Sequence, residues 1–159
     1  MTNKDKLTEF EKLEIQMAFV VPLVRELQDI LGKDVILDAL RQRVDMRVAA
    51  AKQNAAQAQS MTGVMKDFER FAAGEDVLEL DVQAFDESRA EVNVTACKYA
   101  RMMEGFGATD LGELLCCSED YALTEAAGVQ LERTQTIMGG ADCCDFKFCL
   151  KSATPPAEA

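Results

Sequence analysis

The chain has 159 residues, of which 48% are hydrophobic and 28% are charged, a composition typical of one globular domain with a sizeable core. The formal charge of −11 and the pI near 4.5 exclude the clustered basic surface that nucleic acids require, and they disfavour anionic membranes. The first residues form no basic, apolar leader and no apolar run could span a bilayer, so we expect a cytoplasmic protein. An anionic small molecule is compatible with this charge if one or two local cations receive it.

The first part of the chain has the periodicity of helices. Apolar residues recur at helical spacing over residues 8–31 and 34–59, and a third helix is predicted over 62–73. Pro22 is expected to kink the first helix, and Gly32 follows where a helix commonly ends. This first helix could pack on its own domain or on a second subunit, which leaves a homo-oligomer open.

The period then changes to that of strands. Residues 78–84 alternate apolar and polar side chains, and 92–96 return as the second strand of a hairpin. Helices are predicted over 98–106, 110–117 and 119–127. Thr109 and Ser118 are the expected N-caps of the last two helices.

A second predicted hairpin joins 129–138 to 143–151 through a four-residue loop. The order of elements predicts an α+β fold, in which N-terminal helices pack with a four-stranded antiparallel sheet made of two hairpins with short helices between them. We expect a single domain over residues 1–151, helical over 1–74 and containing the sheet and short helices over 75–151. Residues 152–159 are predicted to form a flexible tail.

The loop length sets a register for the second hairpin. If Met138 pairs with Cys143, then Leu131 faces Leu150, and alternation groups side chains by face. One face holds Leu131, Arg133, Gln135, Ile137, Cys144, Phe146, Phe148 and Leu150. This face is mostly apolar but contains a cation, an amide and a thiol, which are costly to bury without partners. A polar pocket explains them, although Arg133 could instead form a structural pair with Asp120 or Glu125.

The opposite face of that hairpin holds Thr134, Thr136, Cys143, Asp145 and Lys147. A solvated face is the expected surrounding for Lys147. Asp145 adjoins Cys144 and could orient the loop.

The chain contains six cysteines and no histidine, so polar chemistry depends on thiols, carboxylates, hydroxyls and a few cations. In a reducing compartment the cysteines are expected to be thiols. Cys97 starts a predicted helix, where the helix dipole and Lys98 favour the thiolate. Cys97 and Cys144 are therefore better candidate nucleophiles than the doublet Cys116-Cys117.

The cysteine spacing fits a metal site badly. Tetrahedral zinc sites usually show two short Cys-x-x-Cys-type knuckles, whereas this chain has adjacent doublets separated by long intervals. No cofactor or metal is therefore expected, with zinc on the cysteines as the alternative.

Residues 97–148 resemble the L-2-amino-thiazoline-4-carboxylic acid hydrolase family. The points of similarity are Cys97 followed by Tyr99-Ala100, Leu111-Gly112 before Cys116-Cys117 and Asp120, Arg133-Thr134 with Thr136, and Gly140 before Cys144-Asp145-Phe146. Members of the family commonly carry His where this chain has Cys143. A fainter similarity, in the last of these motifs, links the chain to vinyl-reductase-type small-molecule-binding domains.

The resemblance implies that the protein opens 2-amino-thiazoline-4-carboxylate to N-carbamoyl-L-cysteine. A thiolate of Cys97 or Cys144, or an activated water, would attack the ring carbon between nitrogen and sulfur. Asp145 or Asp120 would transfer protons, and Arg133 would hold the substrate carboxylate. The other candidate substrate-binding residues are Thr134, Gln135, Thr136, Cys116 and Cys117. The alternative is a non-catalytic sensor domain with a related pocket.

Overall fold

The computed structural model of the chain describes residues 7–56 and 60–151. It begins with three helices, α1 (Glu9–Leu31), α2 (Lys33–Gln53) and α3 (Met61–Gly74). Thr8 starts α1 with a capping box, in which its hydroxyl accepts from the Glu11 amide at 3.1 Å and the Glu11 carboxylate accepts from the Thr8 amide at 2.8 Å. Because α2 ends at Gln53, its predicted extension to residue 59 is wrong up to residue 56, and residues 57–59 lie outside the described residues.

The second part of the chain forms one antiparallel sheet with strand order β1-β2-β4-β3, in which both predicted hairpins are present. Its elements are β1 (Leu78–Phe85), β2 (Arg89–Cys97), α4 (Lys98–Gly105), α5 (Thr109–Gly112), a π-helical turn (Glu113–Cys117), α6 (Glu119–Ala126), β3 (Val129–Glu132) and β4 (Cys144–Leu150). This arrangement confirms the predicted α+β fold. The predicted tail, 152–159, lies outside the described residues.

Of the two predicted N-caps in this region, Thr109 is wrong, whereas Ser118 precedes α6 as predicted but makes no side-chain cap hydrogen bond. Thr109 is the first residue of α5, and Ser118 has helical dihedral angles with φ −67° and ψ −22°. The Ser118 hydroxyl donates to the Leu114 carbonyl at 2.8 Å instead of capping α6. At Ser118 the reason is that the π-helical turn and α6 follow one another with helical backbone, so no break exists where a cap is needed. At the start of α5 the break lies one residue earlier than predicted, since Ala108 is the N-cap residue.

The second hairpin is shorter than predicted and its register differs by two residues. Leu131 pairs with Phe148, not with Leu150, and β3 ends at Glu132. Beyond it, the Asp145 carboxylate accepts hydrogen bonds from the amides of Thr134 at 2.9 Å and Gln135 at 2.8 Å. In a longer β3 these two amides would donate to carbonyls of the neighbouring strand. Because the Asp145 carboxylate binds them instead, the strand ends and residues 133–143 form a loop.

The core consists of two clusters of buried residues. The first, between α3 and the sheet, contains Met61, Met65, Ala90, Val92, Val94, Val129, Leu131, Cys144, Phe146 and Phe148. The second, between α1 and the helices that follow β2, contains Met17, Val21, Val24, Ala100, Met102, Met103, Ala108, Leu111 and Met138. Cys97, at the end of β2, packs against both clusters, so it marks the junction between the two cores.

Helix α1 therefore packs on its own domain through Met17, Val21 and Val24. Ile15 and Phe19 on the same helix remain exposed, and a homo-oligomer stays a prediction. Within residues 7–56 and 60–151, none of the helices combines the length and apolar character needed to cross a membrane.

Candidate functional site

A partly open cavity of about 350 Å³ lies where the two core clusters meet. Helices α1, α3 and α6, the π-helical turn and strands β1, β2 and β4 all contribute to its wall. Six of the predicted site residues line it, and we call them the cavity group: Cys97, Cys116, Cys117, Asp120, Arg133 and Cys144. The fold thus brings together side chains from five segments of the chain.

The other four predicted site residues do not line this cavity. We call them the loop group: Thr134, Gln135, Thr136 and Asp145. The expectation that Gln135 shares the pocket face is wrong, because β3 ends before it and its side chain is exposed.

The π-helical turn explains why neighbouring cysteines reach the same cavity. In this turn the Ser118 amide donates to the Glu113 carbonyl at 2.9 Å, five residues earlier. Three consecutive residues, Leu115, Cys116 and Cys117, all line the cavity. Such single π-turns occur frequently at functional sites.

Arg133 and Asp120 form an ion pair at the cavity wall. Arg133 Nη1 lies 2.7 Å from Asp120 Oδ2, and Nη2 donates to the Cys117 carbonyl at 3.0 Å. The Arg133 side chain is only 5% exposed, and its guanidinium lies 5.2 Å from the Tyr121 ring centroid and 4.9 Å from that of Phe146. Both alternatives from the sequence therefore hold, since Arg133 lines the pocket and also pairs with Asp120.

The two charges of this pair affect each other. Burial raises the pKa of Asp120 above its ordinary value, although the Arg133 guanidinium opposes this shift. Burial alone would lower the pKa of Arg133, but Asp120 outweighs it and keeps the guanidinium charged. Asp120 can thus hold a proton at higher pH than an ordinary aspartate, as a general acid or base should. Glu125, the other predicted partner of Arg133, pairs with Lys151.

Burial disfavours the thiolate form of all four thiols of the cavity group. Burial raises the pKa of Cys97 and Cys144, and it raises the pKa of Cys116 to about 12. Burial also raises the pKa of Cys117. At Cys97 the amides at the start of α4 do lower the thiol pKa, as the helix position predicts, but burial outweighs them. The expectation of a favoured thiolate at Cys97 is therefore wrong.

The loop group holds residues 133–143 in place. Asp145 accepts from two backbone amides and from the Thr134 hydroxyl, which lies 2.7 Å from Oδ2. Burial alone would raise the pKa of Asp145, but these hydrogen bonds outweigh it and lower the pKa. Thr136 is buried, donates to Glu113 Oε1 at 2.6 Å and accepts from the Gly139 amide at 2.9 Å. Each of these contacts stabilises the loop.

Cys143 stands where members of the resembling family commonly carry histidine. It is half-buried, and its Sγ accepts from Gln135 Nε2 at 3.3 Å. Cys143 does not line the cavity, so the difference from the family at this position lies outside the cavity.

Sequence reasoning missed the walls that α1 and α3 contribute. Glu9 and Lys12, which form an ion pair on α1, and Phe68 and Phe71 on α3 all line the cavity. The sequence predicts the helices that contain these residues but no role for them in a site. No local pattern shows that these helices meet α6 across a cavity, because the contacts join residues far apart in the chain.

No group of three or more His, Cys, Asp or Glu side chains within the described ranges 7–56 and 60–151 is arranged to hold a metal ion.

An α+β domain in which thiols and a buried ion pair line one cavity belongs to the class of proteins that bind or convert small molecules. Residues 12–148 match the model of the L-2-amino-thiazoline-4-carboxylic acid hydrolase family, and because this covers most of the chain, the protein belongs to that family. A comparison with curated proteins finds no match. Family membership confirms the resemblance and points to hydrolysis of 2-amino-thiazoline-4-carboxylate.

Proposed function

We propose that this protein opens the ring of 2-amino-thiazoline-4-carboxylate, or of a close analogue, by hydrolysis in the cavity. The observation that carries the proposal is the Arg133–Asp120 pair, which lines the same cavity as four thiols. Membership in the hydrolase family supports the reaction class.

The ion pair suits the two charged ends of such a substrate. A guanidinium has five N–H donors, and Arg133 uses one on each terminal nitrogen for Asp120 and the Cys117 carbonyl. The remaining donors can hold the substrate carboxylate with the fork geometry that carboxylates favour. Asp120 then lies beside the amidine-like part of the ring, where the reaction takes place.

The reaction consumes one water. Its oxygen bonds to the ring carbon between nitrogen and sulfur, and the bond from that carbon to sulfur breaks. One water proton ends on the ring nitrogen and the other on the departing sulfur, which yields N-carbamoyl-cysteine. We assign Asp120 as the group that takes a proton from the attacking water and later donates it to sulfur, a role consistent with its raised pKa.

Water is the preferred nucleophile because burial keeps the cavity thiols protonated. Cys97 and Cys144 remain the alternative nucleophiles, on the condition that Asp120 removes the thiol proton during attack. In either case the products are the same, so substitution of the thiols must distinguish the two routes.

The test is turnover of 2-amino-thiazoline-4-carboxylate by the wild type and by the variants Cys97→Ala and Cys144→Ala, with N-carbamoyl-cysteine measured by mass spectrometry. Both variants should keep kcat within roughly tenfold of the wild type, since neither thiol is required for water attack. Cys149→Ala, outside the cavity, is the matched control. Complete loss in one folded variant would identify that thiol as the nucleophile instead.

A ligand-binding domain without catalysis is the second candidate. It is favoured by the raised pKa of every thiol in the cavity group, which leaves no resting thiolate. Saturable binding of thiazoline carboxylates without any ring opening would establish this function and contradict the hydrolase proposal.

A further inference from the structure

The exposed lining of the cavity has a charged part, which includes Glu9 and Lys12, and an apolar part, which we call the mouth. Phe71 on α3 and Leu123 on α6 both line it, yet 49% and 66% of their surfaces are exposed. Large apolar side chains that are exposed at the rim of a cavity are a common mark of a ligand-binding site.

Helices α3 and α6 each contribute to the cavity wall a residue at or near the ion pair and a residue at the mouth. On α6, Asp120 and Leu123 are three residues apart and thus lie on one face, and Phe68 and Phe71 are related in the same way on α3. Phe68 contacts Phe146, the ring beneath the Arg133 guanidinium, with centroids 5.5 Å apart. Asp120 belongs to the ion pair and Phe68 lies close to it, whereas Phe71 and Leu123, one helical turn along α3 and α6, are more exposed.

Phe71 has a second ring beside it. Its ring stacks with that of Tyr99, at an interplanar angle of 3° and a centroid distance of 6.4 Å. Tyr99 also lines the cavity, so the mouth presents aromatic surface as well as the Leu123 side chain.

The cavity is also large for a substrate with one small ring. At about 350 Å³ it falls within the range of roughly 300–1,000 Å³ that is typical of sites for drug-sized ligands. A small heterocycle at Arg133 and Asp120 would leave the apolar mouth unfilled.

We propose that the ligand is a thiazoline-type carboxylate bearing an apolar substituent, aryl or branched alkyl, which lies between Phe71 and Leu123. The position of the ring rests on the proposed function, whereas the apolar subsite rests on the mouth residues themselves. Filling an apolar subsite of this kind raises affinity by roughly tenfold or more, because it removes apolar surface from water.

Two stable aromatic probes test this subsite by isothermal titration calorimetry: 2-aminothiazole-4-carboxylate and 2-(benzylamino)thiazole-4-carboxylate. The benzylamino compound should bind the wild type at least roughly tenfold more tightly than the parent. Phe71→Ala and Leu123→Ala should each weaken binding of the benzylamino compound more than binding of the parent, so the ratio of the two Kd values falls. Phe85→Ala, with a side chain exposed to a similar extent (51%) but outside the cavity, should change neither Kd.

Equal or weaker binding of the benzylamino compound would overturn the proposal, as would an advantage that survives in both mouth variants. Failure of both probes to bind would overturn it as well. A separate turnover assay with 2-amino-thiazoline-4-carboxylate distinguishes the two proposals. Tighter binding of the benzylamino compound without turnover would support the apolar subsite and contradict the hydrolase proposal. Turnover without tighter binding of the benzylamino compound would support the hydrolase proposal and contradict the apolar subsite.

Discussion

Asp120 and Asp145 hold neighbouring residues from different sides of one loop. Asp120 pairs with Arg133 beside the cavity, and Asp145 binds Thr134, the next residue, outside it. Burial raises the pKa of Asp120, whereas hydrogen bonds outweigh burial and lower the pKa of Asp145. The same side chain thus has a raised pKa in one place and a lowered pKa in the other, which is why we propose Asp120, and not Asp145, for proton transfer.

The largest expected effect is on catalysis. Asp120→Asn should lower kcat for thiazoline opening by about 10²–10⁴-fold, because the amide cannot exchange the proton. The matched variant Asp145→Asn should keep kcat within roughly tenfold, since Asp145 lies outside the cavity. Steady-state kinetics on both variants test this difference. A larger loss of kcat in Asp145→Asn than in Asp120→Asn would contradict the proposed role of Asp120.

A smaller effect is expected on stability when Arg133 is removed. Arg133→Met should lower the free energy of unfolding by about 3 kcal/mol, because it leaves the Asp120 charge without its partner. We place the loss at the low end of the range for buried pairs, since 36% of the Asp120 side chain is exposed. Urea denaturation measures the loss, and Asp120→Asn combined with Arg133→Met should cost less than the sum of the single variants. Strict additivity would show that the two groups are not coupled.

The smallest effect is expected outside the cavity. Asp145→Ala should cost about 1 kcal/mol, the typical net value of hydrogen bonds that are partly exposed to solvent. Because the folded pKa of Asp145 is lowered, its contribution is present above its unfolded pKa of about 4 and is lost as the pH falls through the folded value. The stability difference between wild type and variant should therefore shrink below about pH 4.

The pH dependence of stability that Asp120 causes should have the opposite sign to that caused by Asp145. Its folded pKa is raised, so the wild type loses stability as the pH rises from the ordinary aspartate value toward the folded value. Asp120→Asn should lack this decline in denaturation curves measured over the same pH range. A parallel decline in the variant would mean that another group causes it.

The fold class could be predicted because its signals are local. The alternation at residues 78–84 and the helical period of residues 8–31 depend only on neighbouring residues. The predicted apolar face of β4 is correct although the predicted register differs by two residues, because a shift by two keeps every side chain on its face.

The end of β3 could not be predicted from such signals. Residues 129–138 suit a strand, and nothing local shows that Asp145 takes the amides of Thr134 and Gln135. The chemistry of the thiols and of Arg133 led to the cavity group, but the walls formed by α1 and α3 depend on contacts between distant segments. The direction of the pKa shift at Cys97 has the same origin, since burial arises from packing.

The central claim is that the ring binds in the cavity at the Arg133–Asp120 pair. A crystal structure with 2-aminothiazole-4-carboxylate tests it most directly. The ligand carboxylate should lie within hydrogen-bonding distance of Arg133, with the carbon between ring nitrogen and sulfur beside Asp120. A ligand bound instead at Thr134 and Asp145, or a cavity without ligand at saturating concentration, would contradict it.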